Sequence, residues 1–552
     1  MEQFDIYIIA DGILGAVLLF FAAGLAEKLK SPKWRILYAV PFILCTVLAA
    51  ISGFDACMIP AYAGTLILVV GLVKDNVKVR RAVCTAAVVL CAAAVPLCTE
   101  SGSYRVFDYS RDFEKGFSDM KEHYVLSRQK NIDWDAIYAK YLPRFKEAQD
   151  DIDAYILWSE YCAEFHDGHV GYVPADLSSE DDAEFLSKQV FDRLGANDYG
   201  LSMLTMSDGS AAAVNVDESL NSLGIFNGTV ILSWDGMTIE EAAEKAPIKR
   251  IMNFADKDNE RFYLPAAAAS LGGDSVKVTF LGENGEEKTA ELPRLGGYYP
   301  RYKKAKSAVE NGVAAANFAW TEIDENTGCL RIKGMTYDSD STKTNNFDAL
   351  KRELSIGIDT LISEGKSNLV IDIRSNSGGS GLLVKALGEL LAPTGTHFYC
   401  CDGTWDSSTG TYIYNEETGT YPIAAENTFI GENKWQGNPI IILVNADSVS
   451  AADHLCKIMS GMENVTIMGF TEPNGSAQGV TSCTLEKGLL GYSGSLILNR
   501  DGSVFIDSGT DYESGDDIDI RVPFDKEAIR ALYENGEDYL MDKALERFAQ
   551  MN

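Results

Sequence analysis

The sequence predicts a multidomain protein: an N-terminal all-α transmembrane bundle, a small helical domain, a β-rich module and an α/β core. Three observations carry that prediction. Four long apolar stretches fill the first hundred residues, roughly 6–26, 34–51, 57–73 and 82–97. Short alternating runs separated by glycine turns occupy residues 186–298. After residue 299, continuous β-branched runs alternate with helical periodicity, the pattern of a mostly parallel sheet. A chain of 552 residues is also too long for one hydrophobic core.

The apolar stretches come first in order. Each is about long enough to cross a hydrocarbon core, the third and fourth at the short end. They lack the polar face of a water-exposed bundle helix. The acidic start, MEQFD, argues against a cleaved signal peptide. Lys28, Lys30, Lys33 and Arg35 lie between the first two stretches, and Lys74, Lys78, Arg80 and Arg81 between the last two. The positive-inside rule puts both basic loops in the cytoplasm. Residues after Cys98 are then expected outside, in a multi-pass cell-membrane protein with an extracytoplasmic catalytic part. Asp11 is the one charge within the first stretch; an intramembrane aspartate can be functional, but one so near the outer end more often reaches the interface.

Charge is unevenly spread. The formal net charge is −32, yet residues 1–100 hold eight Lys and Arg against seven Asp and Glu, so residues 101–552 carry −33. Such an acidic chain repels phosphates and excludes nucleic acid as a partner. Eleven cysteines show no CxxC pair and no metal-ligand spacing, which favours isolated buried thiols.

Residues 101–185 read as a helical domain, with periodic apolar positions over 107–124, 134–145 and 151–165. The last of these runs into His166-Asp167-Gly168-His169, where Gly168 is expected to stop the helix and expose His169. The chain has only five histidines, and a histidine at such a turn suits acid–base work. Residues 186–298 form the β-rich module, with runs at 199–204, 211–216, 230–233, 275–281 and 288–292 and a helical piece at 239–245. An insertion at 253–269 is expected to be able to cover a ligand groove in it. Residues 299–552 form the α/β domain: strands at 329–333, 369–373, 440–444 and 465–468, helices at 345–364, 382–391 and 451–462. The polar stretch 402–436 is expected as a surface insertion near the site.

Two turns in that domain carry chemistry. The run Leu369–Ile373 ends in Arg374-Ser375-Asn376-Ser377-Gly378-Gly379, and paired glycines let backbone N–H groups point at a ligand oxygen. The run Pro439–Asn445 turns through Ser448-Val449-Ser450 into a helix beginning near Ala451. An exposed hydroxyl beside such donors is what nucleophilic acyl chemistry needs. The bland alternative makes Ser450 a helix cap in an ordinary core.

Two resemblances follow. Residues 219–236, SLNSLGIFNGTVILSWDG, resemble the PDZ domains of bacterial proteases, which implies a module that accepts an extended peptide along a strand edge. LVIDIRSNSGG at 369–379 and the turn Ser448-Val449-Ser450-Ala451-Ala452-Asp453 resemble the S41 peptidases, the C-terminal processing proteases and tricorn-type core domains. Asp453 stands where that family usually has glutamate. The resemblance implies a crotonase/ClpP-like catalytic core, a peptide or protein substrate and no cofactor or metal. The family's serine/lysine version is disfavoured because no lysine occurs between Lys457 and Lys487. Its tricorn-like version draws a histidine from an Asp-Gly-His-like turn, which Asp167-Gly168-His169 matches, and an acid from a stretch resembling residues 512–522. The implied mechanism makes Ser450 the nucleophile, His169 the base and Glu513 its orienting acid, with Asp511 and Asp516 as rivals. Backbone N–H groups of Gly378 or Gly379 and of Ala451 would hold the oxyanion. Gly168 stands where tricorn-like sites can carry a serine. The competing reading is a catalytically inactive S41-like peptide-binding or sensor protein. Oligomeric state is left open.

Overall fold

The computed structural model describes residues 107–310, 318–336, 346–507, 509 and 518–551. From Tyr109 onward the chain forms one compact unit. It opens with helices α1 (Tyr109–His123), α2 (Trp134–Glu147) and α3 (Asp151–Ala163). α2 and α3 each begin at an aspartate, Asp133 and Asp150, whose side chain accepts a backbone N–H three residues on. Their apolar faces interlock through aromatic rings. Phe113 stacks on Phe145 with ring centroids 4.8 Å apart and lies edge-on to Tyr161. This cluster fixes where the chain leaves α3. It then enters β1 (Gly171–Pro174) and α4 (Glu180–Arg193).

The β-rich segment is an antiparallel sheet in the order β2 (Ser202–Thr205), β3 (Ala211–Val214), β4 (Val230–Trp234), β5 (Ser275–Leu281) and β6 (Glu287–Pro293). A 3₁₀ turn over Glu218–Leu223 ends on Gly224 at φ 81°, and β4 runs into Asp235-Gly236, both at positive φ. Between β4 and β5 lie α5 (Ile239–Lys245), opened by a Thr238/Glu241 capping box, and α6 (Lys257–Ala268). α6 packs along edge strand β2, where Thr205 Oγ1 donates to the Arg261 carbonyl at 2.6 Å. The insertion expected at 253–269 is therefore a helix that covers one edge. The other edge, β6, exposes Glu287, Lys288 and Glu291 and ends at Pro293, features that discourage strand addition.

After α7 (Tyr299–Glu310) comes a six-stranded sheet: β7 (Phe318–Glu322), β8 (Thr327–Ile332), β9 (Asn368–Asp372), β12 (Ile440–Leu443), β13 (Val465–Gly469) and β16 (Ile520–Arg521). All its pairings are parallel except β7 with β8. Alternate residues of the central strands enter opposite cores. Leu369, Ile371, Ile440 and Ile442 pack with α8 (Phe347–Ser363), α9 (Gly381–Leu391) and α10 (Ala451–Met459). Val370, Ile441 and Leu443 pack with α6, α7 and α11 (Tyr539–Met551). That two-sided burial is why these strands read as continuous apolar runs. Fully buried Arg374 pairs with Asp372 at 2.8 Å and with Asp538 at 2.7 Å, pinning the start of α11 to the end of β9.

Among the described residues, two three-stranded sheets and two small two-stranded pairs complete the unit. β10 (Gly395–Gly403) and β11 (Ile423–Gly431) form a long antiparallel pair, so the stretch expected as a polar insertion is largely strand. β14 (Gly479–Thr484) and β15 (Gly488–Ser495) pair with each other, and β15 also pairs with β1. The register Gly171↔Gly491 ties the segment after α3 to the C-terminal half.

One expectation is corrected. Among the described residues no helix is long and apolar enough to cross a membrane. The fold class is that of mixed α/β domains, and the transmembrane bundle, the multi-pass placement and the extracytoplasmic catalytic part are withdrawn. The length of the apolar stretches and the basic loops between them had suggested these. The four stretches within residues 1–100, with Cys45, Cys57, Cys84, Cys91 and Cys98, lie outside the described residues. The six described cysteines, Cys162, Cys329, Cys400, Cys401, Cys456 and Cys483, are buried free thiols.

Candidate active site

Ser450 stands at the junction of the strand-end turn and α10. Its backbone is bent to φ 62°, ψ −120°, a conformation unusual for a residue with a Cβ. Its N–H donates to the Gly475 carbonyl at 3.0 Å. Its hydroxyl does not cap α10. The helix-cap alternative therefore fails, and the residue is half-buried.

The glycine turn after β9 lies against it. Gly378 has φ 88°, and a Cβ there would come within 2.6 Å of Ser450 Cβ, 2.8 Å of the Val449 carbonyl and 3.0 Å of Ser450 Oγ. Only glycine permits this approach. The Gly378 N–H donates to Asn376 Oδ1 at 2.9 Å. Gly379, at φ 136°, is held by bonds on either side of it. Met335 N–H donates to the Gly378 carbonyl at 2.7 Å, and Ser380 N–H donates to the Met335 carbonyl at 2.8 Å. The N–H groups of Gly379 and of Ala451, the first residue of α10, have no hydrogen-bond partner among the described residues. Asn445 Oδ1 accepts the Ser375 N–H at 2.8 Å and Ser448 Oγ donates to the Ile373 carbonyl at 2.9 Å, so the two turns are locked together.

His169 arrives from the other direction. α3 ends at Ala163, and the left-handed residue after it is His166 at φ 44°, so the helix stops before Gly168. Asp167 then forms a turn, accepting the His169 N–H on Oδ1 at 2.8 Å. A Cβ on Gly168 would lie 3.2 Å from Val449 Cγ1 and 2.7 Å from Ser476 Oγ. The residues preceding His169 and Ser450 are thus neighbours. The Ser476 hydroxyl accepts the Gly168 N–H at 2.7 Å and occupies the space that a side chain at 168 would need. His169 Nδ1 is 3.4 Å from Ser493 Oγ, and its buried Nε2 has no partner among the described residues. Burial lowers the imidazole pKa below its ordinary value, against the opposing charge of Asp167, so the ring stays neutral near pH 7.

The segment 474–478 holds these parts in place. Asp453, fully buried, accepts the Gly475 N–H on Oδ2 at 2.9 Å. Ser476 and Ala477 donate their N–H groups to the carboxyl of fully buried Asp507. Burial and the nearby charge of Asp167 push the Asp507 pKa up to about 7. The β-rich segment also contributes. Asn253 Nδ2 donates to the carbonyls of Asp167 and Val170 at 3.2 and 3.1 Å, and Asp256 N–H donates to Asn474 Oδ1 at 3.0 Å.

Of the expected residues, Gly378 lies against Ser450, Gly379 and Ala451 are their chain neighbours, and the turn carrying His169 abuts Val449. Glu513 and its rivals Asp511 and Asp516 lie outside the described residues. Sequence reasoning missed Ser493, Ser476, Asn253 and Asp507. Asp507 alone left a signal: a lone acid closing the apolar run Val504-Phe505-Ile506. Among the described residues no group of His, Cys, Asp and Glu could hold a metal ion.

Residues 326–513 match the profile of Peptidase family S41, and residues 108–161 match that of the Tricorn protease C1 domain. Among curated proteins no significant match is found. Among solved structures, mature CPAF complexed with lactacystin is similar at TM-score 0.50 and 13% identity, over 81% of this chain and 99% of that one. A CPAF mutant gives TM-score 0.50 and 13% identity over 80% and 97%. At that identity the likeness shows the fold alone. Residues 326–513 of this chain are thus similar to peptidase family S41, and residues 108–161 to the tricorn protease C1 domain.

Proposed function

We propose that this chain is a serine-type endopeptidase that hydrolyses peptides or protein tails through an acyl-enzyme on Ser450. His169 Nε2 takes the hydroxyl proton as Oγ attacks the scissile carbonyl, then returns it to the leaving amine. Water deacylates the enzyme by the same route in reverse. The N–H groups of Gly379 and Ala451 receive the tetrahedral oxyanion, each worth roughly 10²–10³ in rate. The Gly378 N–H is engaged by Asn376, which favours Gly379 for that task. The family resemblance offers Glu513 as an acid near His169, but the group beside His169 Nδ1 is Ser493 Oγ, at 3.4 Å. The PDZ-like reading of residues 186–298 is not carried into this proposal, because α6 covers one edge of that sheet and the charged, proline-ended β6 discourages strand addition at the other; Asn253 and Asp256 instead tie the module to the histidine turn and to the 474–478 segment.

The observation that carries this reading is Ser450 itself, bent to positive φ, uncapped and pressed against Gly378. Labelling the full chain with a fluorophosphonate probe tests it, wild type beside Ser450→Ala. Label on the wild type alone is expected. Absence of label on both would overturn the peptidase reading in favour of a catalytically inactive peptide-binding protein.

A further inference from the structure

We propose that Ser493, backed by Asp167 and Tyr124, is the positioning residue that fixes the His169 tautomer with its proton on Nδ1. The inference deepens the reading of His169 as the base and rests on it. It starts from the capacity of each group to donate or accept. Asp167 is fully buried. Its Oδ1 accepts the His169 N–H, and its Oδ2 accepts two hydroxyls, Tyr124 at 3.0 Å and Ser493 at 2.9 Å. A carboxylate offers only lone pairs, so both hydroxyl protons point at it. Ser493 has one proton, and Asp167 takes it. What Ser493 then presents to His169 Nδ1, 3.4 Å away, is a lone pair. Only a ring protonated on Nδ1 satisfies that contact, and Nε2 is left with its own lone pair in a buried position. Such hydrogen bonds are often long without substrate and tighten when it binds.

The scaffold supports the relay. Ser493 lies on β15, whose pairing with β1 places it beside the turn that carries His169. Its carbonyl accepts the Val125 N–H at 3.1 Å, and Tyr124 is the next residue back. The relay thus draws on the residue that follows α1, the histidine turn and β15.

The test is a long-range ¹H–¹⁵N correlation of the full chain labelled only at histidine nitrogens, with the His169 signal assigned by its loss in His169→Gln. Wild type is expected to show Nδ1 protonated and Nε2 bare. In Asp167→Asn the amide oxygen stays on the His169 N–H, so the –NH₂ replaces Oδ2 and donates to Tyr124 and Ser493. The Ser493 proton then turns toward Nδ1, and the tautomer flips to Nε2–H. Turnover falls by about 10³–10⁴-fold with little change in KM, because a ring protonated on Nε2 cannot act as base. Ser493→Ala gives mixed tautomers and a fall of about 10²-fold, while Tyr124→Phe keeps the wild-type tautomer. Nε2–H in the wild type, or Nδ1–H retained in both Asp167→Asn and Ser493→Ala, would overturn the relay. The spectrum needs no turnover, so the relay stands or falls separately from Ser450 labelling.

Discussion

A residue with a Cβ held at positive φ outside the common left-handed well costs about 1–3 kcal/mol. Ser450 is held there by its N–H bond to Gly475 and by the glycine turn pressed against it. Replacing its side chain therefore has two separable effects. Ser450→Ala removes the hydroxyl and should lower turnover by at least about 10⁴-fold while keeping the strained backbone. Ser450→Gly is equally inactive but relieves the strain. It should be more stable than Ser450→Ala by about 1 kcal/mol in denaturant unfolding, net of the flexibility glycine adds to the unfolded chain. Equal stabilities would show that the turn relaxes freely. Gly378→Ala works from the opposite side. A methyl 2.6 Å from Ser450 Cβ must displace the nucleophile, so both activity and about 1–3 kcal/mol of stability should be lost. At this scale the sequence revealed much: a serine after a β-branched run and two glycines after another were enough to find the pair. Ser493 was invisible, because one serine in a strand has no periodic or turn signature. It acquires a role only when β15 pairs with β1.

Elements were legible where burial imposed a period. The central strands are buried on both faces and appear as unbroken Val, Ile and Leu runs, and α8 shows its apolar face toward that sheet. Helix ends and loops were less so. The stop after α3 falls at His166 rather than Gly168 because an Asp167 turn, set by a side chain, ends the segment. The pair β10–β11 read as a polar insertion because much of β11 is exposed and lacks the alternation of a half-buried strand. Asp453 shows how an element's length can be tuned to a loop. Its carboxylate, fully buried, reaches the Gly475 N–H at 2.9 Å. The glutamate expected from the family resemblance would be one methylene too long for this space. Asp453→Glu should cost about 1–3 kcal/mol by overpacking and shift Gly475, whose carbonyl holds the Ser450 N–H. A loss of turnover larger than the loss of folded protein would confirm that the shift reaches the nucleophile. Unchanged stability and turnover would mean the loop accommodates either acid.

Across the whole molecule, acid stability is set by opposing buried groups. Burial holds the imidazoles of His166 and His169 below their ordinary range and that of His454 down to about 4. The unfolded chain therefore takes up these protons first, and stability is lost as pH falls from about 7 toward 4. Asp507 acts the other way. Its carboxyl is raised to about 7 in the folded chain, above the ordinary aspartate value near 4. Between those values the unfolded chain releases the proton while the folded chain keeps it, so this term favours folding at pH 4 and fades as pH rises to 7. The net charge of −32 adds repulsion in the same direction as Asp507. Wild-type stability against pH mixes all of these terms, but the difference between wild type and Asp507→Asn isolates one. Asparagine does not titrate, so the variant should gain melting temperature relative to wild type on going from pH 5 to pH 8. Most of that change should fall between pH 5 and 7 and level off above. A difference that stays flat across this range would show that Asp507 is ionised in the folded chain throughout, and that the segment 474–478 is held by a charge rather than by a protonated acid.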